Sequence, residues 1–275
     1  MRLWLPMLLC AAILAAGAGS AFAVSSLAGP TGLVILPTAD IAPTTDWQIG
    51  IGQYSYQAQA MYDVSDWSFN LIKGVADDAE LFLRFQRISG EGGTDAWEYG
   101  GKYLLSQSLF PRQGFLGGTK VAFGASLGRW ANSLGMYDRP DVETLRAYLV
   151  ATKQIKPYAS GDTKYGEESG TRVVVSAGLM YLRAKLSEGD SDTLLRPFLG
   201  LQVYGSRNLE FLTEYRLKAS DLESDPVFSV AIRKPFGSST TFELGLTNAD
   251  AIGLGMSDQN MYARLIYTWP TEGYQ

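Results

Sequence analysis

The sequence predicts an all-β fold, a transmembrane antiparallel up-and-down β-barrel of about 12 strands (10–14). Three observations predict it. Apolar residues recur at every second position in runs between about residues 46 and 269, and strand side chains point alternately to opposite faces. Most runs are nine to fourteen residues long, close to the about 9–11 residues with which a tilted strand crosses a bilayer. A predicted export signal precedes these runs.

Residues 1–23 are predicted to be a signal peptide that is cleaved after Ala23. Arg2 supplies the positive charge, residues 3–16 are largely apolar, and Ala21-Phe22-Ala23 matches the small-x-small cleavage pattern. The alternative is a retained membrane anchor, but the apolar stretch is short for a spanning helix. Cleavage removes Cys10, the only cysteine, and the chain has no histidine.

Residues 24–45 are predicted to form a lead-in segment with one distinctive motif, G-P-T-G-L followed by P-T-A-D. Gly29-Pro30 and Gly32 favour turns, and Pro37 interrupts any strand, so an apolar stretch lies between two kinks. Spacing alone leaves two alternatives open: a segment packed under or inside the barrel, or an ordinary ordered tail. The motif residues are Gly29, Pro30, Thr31, Gly32, Leu33, Pro37, Thr38, Ala39 and Asp40.

Residues 46–275 are predicted to form the barrel, with strand edges uncertain by a few residues. One example is the stripe Val121, Phe123 and Leu127, which is expected to face outward. Trp and Tyr tend to end such stripes, as they do in the aromatic girdles of membrane barrels. A soluble β-sandwich, whose core would use the same stripe, is the alternative. The predicted strands are 46–56, 66–73, 79–88, 96–106, 118–129, 142–153, 171–184, 195–204, 208–218, 226–234, 240–248 and 260–269.

The connections test this arrangement. If the first strand starts in the periplasm, every second connection is a periplasmic turn, and such turns tend to be short. Residues 74–78, 205–207 and 235–239 fit this rule. Residues 107–117 and 154–170 do not, because they are long and fall on the periplasmic side. Either a strand pair is miscounted or these two segments are functional periplasmic loops.

Charged residues recur on the polar stripe of the strands. Acids and bases that face each other across a narrow lumen can select solutes at a constriction. The favoured alternative is that they pair and fill the interior, since buried charges need partners. The candidate lumen charges are Glu80, Arg84, Glu98, Lys102, Arg146, Arg172, Glu210, Glu214, Arg216, Glu243 and Arg264.

Several function classes are disfavoured, so the chain is expected not to be an enzyme. Without histidine there is no Ser-His or Asp-His machinery and no histidine metal site. Glu210 and Glu214 share a strand face at roughly 14 Å, beyond the ~9.5 Å limit for paired glycosidase carboxylates. No cofactor or metal is expected. The net charge of −5 argues against a nucleic-acid partner.

The motif at residues 29–40, the strand Trp47-Gln-Ile-Gly-Ile-Gly and the strand Asn208-Leu-Glu-Phe-Leu-Thr-Glu-Tyr215 resemble YjbH-type outer-membrane proteins, which are associated with exopolysaccharide production. Typical members are longer, so this chain looks like a short, single-barrel form. The resemblance implies an outer-membrane barrel that assists the export or surface display of a polysaccharide. A narrow channel fits the same barrel.

Two alternatives remain: a closed structural or binding barrel that docks periplasmic partners or presents surface loops, and a soluble periplasmic β-protein. The expected partners are outer-membrane lipid and lipopolysaccharide, with polysaccharide or periplasmic export components as further candidates. The expected location is the outer membrane.

Overall fold

A computed structural model of the chain shows a closed antiparallel barrel of twelve strands in which each strand pairs with its neighbours in sequence and β1 closes on β12. The structure describes residues 24–58, 62–89, 94–106, 117–132, 142–155, 172–186, 191–205, 209–218, 225–249 and 255–270. The predicted barrel of about twelve strands is confirmed. The strands are β1 (Asp46–Ala58), β2 (Tyr62–Ala76), β3 (Ala79–Ser89), β4 (Thr94–Ser106), β5 (Lys120–Asn132), β6 (Val142–Ile155), β7 (Arg172–Leu186), β8 (Ser191–Tyr204), β9 (Glu210–Arg216), β10 (Val227–Phe236), β11 (Thr240–Ala249) and β12 (Gly255–Pro270).

The alternation seen in the sequence becomes two faces of one wall. On β3, for example, Leu81, Leu83 and Phe85 are exposed on the outside while Phe82 and Arg84 are buried inside. Apolar side chains are exposed on the outer face of every strand, which suits contact with lipid rather than water. Val121 is an exception to the predicted outward stripe: it is 8% exposed and lies beside the bulge between Leu104 and Ser106.

The twelve-strand count shows that the sequence analysis did not miscount a strand pair. We call the end of the barrel where β1 begins and β12 ends the proximal end, and the opposite end the distal end. Because no strand pair was miscounted, the long connections between β4 and β5 and between β6 and β7 lie at the proximal end, with the short turns 77–78 and 237–239. Most of both long connections, residues 107–116 and 156–171, lies outside the described residues, as does the predicted signal peptide.

The core of the molecule lies inside the barrel and is built around the lead-in segment. Residues 24–39 are all buried. Leu27, Leu33 and Val34 pack against the inner faces of β9, β10 and β12, while Leu36 and Ala39 pack against β4–β8. Of the two sequence-based alternatives for this segment, the structure shows it inside the barrel. Among the described residues, no helix is long and apolar enough to cross a membrane.

Candidate functional site

The lead-in segment folds into a compact double turn that we call the plug (residues 24–43). Two antiparallel bridges hold it, Ser25 to Thr31 and Gly32 to Pro37. Its backbone also bonds to itself, with Leu27 N donating to Val34 O at 2.6 Å. Gly29 makes the first turn at a φ of 113°, which favours glycine, and a Cβ there would meet the Phe82 ring of β3. The plug therefore has a defined shape that matches the wall.

Two buried carboxylates of the wall accept hydrogen bonds from backbone N–H groups of the plug. Glu80 on β3 accepts from Thr31 N at 2.9 Å and from Ala42 N at 2.8 Å. On the other side of the lumen, Glu214 on β9 accepts from Ile35 N at 3.0 Å and Leu36 N at 2.9 Å. These N–H groups do not pair with a neighbouring strand. The two carboxylates therefore accept the hydrogen bonds that backbone carbonyls would accept in a sheet.

Three cationic side chains hold backbone carbonyls of the plug. Lys102 on β4 donates to Thr31 O at 3.0 Å and Thr38 O at 3.1 Å, and pairs with Glu80 at 3.1 Å. Arg233 on β10 donates to Leu33 O at 3.0 Å. Arg264 on β12 donates to Ser25 O at 2.7 Å. The plug is thus held by charges of both signs around the lumen.

Other predicted lumen charges pair within the wall. Glu98 on β4 lies 3.5 Å from Arg84 and 3.2 Å from Arg146, and also accepts from Ser126. Glu243 and Glu210 lie 2.6 Å and 3.6 Å from Arg233, and Tyr262 donates to Glu243 at 3.0 Å. Buried charges are costly unless paired, so these contacts let the interior keep its charges. Arg216 is buried beside Met180.

The plug fills the lumen where it contacts the wall. A gap lined by Pro30, Ile35, Tyr148 and Met180, among others, is too small for a water molecule. Gly200 on β8 makes room for Leu33, because a Cβ at this position would collide with the leucine side chain. In this part of the lumen the plug therefore packs directly against the described residues of the wall.

Below the plug, at the proximal end, a cavity of about 460 Å³ opens. We call it the vestibule. Its wall is the inner face of β5–β8, with Lys120, Gln154, Arg172 and Tyr204, and the last residues of the plug, including Asp40, cover its other side. Lys120 and Asp40 form an ion pair at 2.7 Å, and the Arg172 guanidinium lies 3.6 Å from the centre of the Tyr204 ring.

The structure brings most of the sequence-based candidates together. The motif residues form the plug, and all the candidate lumen charges except Arg172 are buried inside the barrel around it. Arg172 is half-buried in the vestibule. Sequence reasoning missed Arg233 and the buried Arg196, although alternation from the outward Ile232 and Leu195 places both inside. Among the described residues, no cluster of side chains could hold a metal ion.

No protein-family model matches the chain, and no curated protein matches it. Solved structures do. The KdgM porin, both alone and in complex with disordered oligogalacturonate, is 11% identical, with a TM-score of 0.50 over 81% of this chain and 99% of the porin chain. The outer membrane protein Omp33 of Acinetobacter baumannii is 10% identical, with a TM-score of 0.44 over 82% of this chain and 100% of that chain. The fold of this chain is therefore that of an outer-membrane β-barrel, here with its own N-terminal segment inside the lumen.

Proposed function

We propose that this chain is a non-enzymatic outer-membrane conduit, closed at rest by its plug, that assists the export or surface display of an envelope polysaccharide. The observation that carries the proposal is how the plug is held. Five charged side chains of the wall bind its backbone through hydrogen bonds: Glu80, Lys102, Glu214, Arg233 and Arg264.

This manner of holding suits a reversible closure. The contacts are hydrogen bonds to N–H and C=O groups, so water or a hydroxyl-rich polymer can replace them with the same chemistry. With the plug displaced, the lumen would present carboxylates, guanidinium groups and an ammonium group, including Glu214, Arg233 and Lys102. Such a lining offers hydrogen bonds to a saccharide, beside apolar side chains of the inner wall such as Leu212, Met180 and Phe198.

Two further observations support the polysaccharide. The plug is built from the motif that resembles YjbH-type proteins, which are associated with exopolysaccharide production. In addition, one solved structure of the same fold, the KdgM porin, binds a saccharide, oligogalacturonate. In this proposal the proximal end, which carries the short turns 77–78 and 237–239, faces the periplasm, and the distal end faces the cell surface.

The filled lumen also favours a second candidate, a permanently closed structural or binding barrel. The gap between the plug and the wall holds no water. In that case the plug is a permanent part of the hydrophobic core, and the protein binds partners through the two ends of the barrel. Displacing the plug separates the two candidates.

Conductance in planar bilayers is the test. Because the mature chain is cysteine-free, an introduced pair of cysteines can lock the plug without competing thiols. Ser25 Oγ lies 3.3 Å from the position of a Cβ at Gly50 on β1, so the pair Ser25→Cys with Gly50→Cys can tether the plug to the wall. We expect the oxidised pair to stay closed. We expect a variant lacking residues 24–43, and the full-length Glu214→Gln variant, to conduct.

The single-cysteine variants are the controls for the lock, and a mobility shift on unboiled gels confirms a closed barrel. If the variant without the plug forms a heat-modifiable barrel that conducts no ions, the conduit is wrong and the closed barrel stands. In cells that lack the wild-type protein, the lock is expected to abolish surface polysaccharide until a reductant is added. Normal polysaccharide with the plug locked would contradict the export role.

A further inference from the structure

The vestibule is lined by strand residues at the proximal end of the barrel. Its wall consists of register neighbours on four adjacent strands: Lys120 lies opposite Thr152, Gln154 opposite Val174, and Arg172 opposite Tyr204. Its volume of about 460 Å³ lies within the ~300–1,000 Å³ that is typical of small-ligand sites. The recess therefore has the size and the rigid wall of a binding site.

Its charge favours an anion. Among the described residues that line the vestibule, two are cations, Lys120 and Arg172, and one is an acid, Asp40. The central carbon of the Arg172 guanidinium lies 3.6 Å from the centre of the Tyr204 ring, and its Nε has no hydrogen-bond partner among the residues that the structure describes. A guanidinium fixed in this way is pre-organised for a carboxylate, to which it donates two parallel hydrogen bonds.

The other lining groups favour a saccharide as the carrier of that carboxylate. Gln154 is exposed at the rim and offers both a donor and an acceptor. The Lys120–Asp40 pair keeps 45% and 34% of its side-chain surface exposed, so both groups remain accessible to hydroxyls. The aliphatic side chains among the described lining residues are Val174 of the wall and Ile41 and Pro43 of the plug, so polar groups outnumber them.

We infer that the vestibule is the entry site for an acidic saccharide, a uronate unit whose carboxylate is bound by Arg172 and Lys120. The inference rests on the proposed function and names its substrate class. Lys120 and Arg172, which would bind the carboxylate, are the first residues of β5 and β7 and line the vestibule from neighbouring parts of its wall.

The site also lies against the plug. Asp40 is held by Lys120, and its backbone carbonyl accepts a hydrogen bond from Thr31 Oγ1 at 2.5 Å. A uronate carboxylate at Lys120 competes with Asp40 for the same ammonium group. Occupation of the vestibule thereby weakens one of the contacts that keep the end of the plug in place.

Calorimetric titration of the full-length mature protein in detergent tests the site, with trigalacturonate as the probe. The uncharged galactose trisaccharide and trialanine, which carries a carboxylate but no sugar, are the comparison ligands. We expect trigalacturonate to bind and the two comparison ligands to bind at least about tenfold more weakly. Equal affinity for the neutral sugar overturns the uronate assignment, and equal affinity for trialanine overturns the saccharide.

Variants locate the site on the protein. Arg172→Gln and Lys120→Gln are each expected to weaken trigalacturonate binding about tenfold, and Arg172→Lys is expected to weaken it as well, since an ammonium group cannot lie flat on Tyr204. Arg183→Gln changes an exposed arginine on the outer face of the same strand and is the matched control. Unchanged binding in both neutral variants, with heat-modifiability intact, overturns the assignment.

The experiments can contradict the conduit and the saccharide site independently of each other. Binding is measured without any opening of the barrel, so it can be repeated in the oxidised Ser25→Cys, Gly50→Cys lock, where we expect it to persist. If trigalacturonate binds while the variant lacking the plug does not conduct, the conduit fails and the site stands. If the plug-less variant conducts and no variant or ligand shows binding, the site fails and the conduit stands.

Discussion

At the scale of single residues, Glu80 and Lys102 form an ion pair inside the barrel that also binds the plug. Their side chains are completely buried and lie 3.1 Å apart. Each also binds the plug, Glu80 through Thr31 N and Ala42 N, Lys102 through two carbonyls. A buried charge pair of this kind adds little over an apolar pair, yet loss of one partner is costly because the other charge stays buried.

Glu80→Gln is therefore expected to lower the free energy of unfolding by about 3–5 kcal/mol, since it leaves the Lys102 ammonium without its counter-charge. Glu143→Gln, on the exposed outer face of β6, is the matched control and is expected to stay within about 0.5 kcal/mol of the wild type. Urea titration in lipid vesicles measures both. An unfolding free energy for Glu80→Gln equal to that of Glu143→Gln would show that water or another group compensates Lys102.

At the scale of elements, the fit between the plug and the wall depends on where the wall has no side chain. Gly200 leaves room for Leu33, and Gly74 on β2 lets the backbone of residues 42–43 pass close to the wall. A Cβ at Gly74 would run into the carbonyl oxygens of Ala42 and Pro43, which are backbone atoms and cannot turn aside. The glycine is therefore required by the path of the plug, not by β2 itself.

Gly74→Ala is expected to displace the end of the plug and to lower the free energy of unfolding by about 1–3 kcal/mol. Gly101→Ala is the control, because a Cβ at Gly101 lies 3.1 Å from the Leu81 side chain and 3.2 Å from the Glu80 carbonyl oxygen, whereas a Cβ at Gly74 lies 2.2 Å from the Ala42 carbonyl oxygen. Both effects are measured by urea unfolding. In the variant without residues 24–43, the cost of Gly74→Ala should disappear. Should it persist there, the glycine serves β2 rather than the plug.

At the scale of the whole molecule, the outer surface defines a membrane band. Leu81, Leu83 and Phe85 mark its height on β3, and Arg87 lies above it towards the distal end. Arg87 is opposite Trp67, which in turn is opposite Gln53, so these three residues are neighbours across β1–β3 at the upper boundary of the band. Trp67, at this boundary, fits the aromatic girdle of a membrane barrel.

This band predicts a depth-dependent response to charge. Leu83→Arg, within the band, is expected to cost about 2–4 kcal/mol in the free energy of unfolding, whereas Gln53→Arg, at its upper boundary, is expected to cost about 0–1 kcal/mol. Unfolding from lipid vesicles gives both values. Equal costs at the two positions would contradict the assigned height of the band.

The strands were predictable from sequence because one physical signal, alternation, sets both faces at once. Eleven inner charges were found this way, and Arg233 was missed only because Lys234 follows it and obscures the pattern. The position of the plug was not predictable. Its motif indicates turns. The contact between Ile35 and Glu214 spans 179 residues, and no sequence pattern near either residue indicates it. The vestibule likewise arises from register between β5 and β8.

The distances along the chain between the plug and its partners set an order of assembly. The plug needs Glu214, Arg233 and Arg264, which lie 179, 200 and 239 residues after the plug residues Ile35, Leu33 and Ser25 that they bind. Its binding site is therefore incomplete until the twelfth strand is in place, although the plug precedes every strand. Such long-range closure is slow because the chain loses entropy before it gains contacts. We expect the newly inserted barrel to pass through a water-filled intermediate, and the segment before the first strand to reach its final position last.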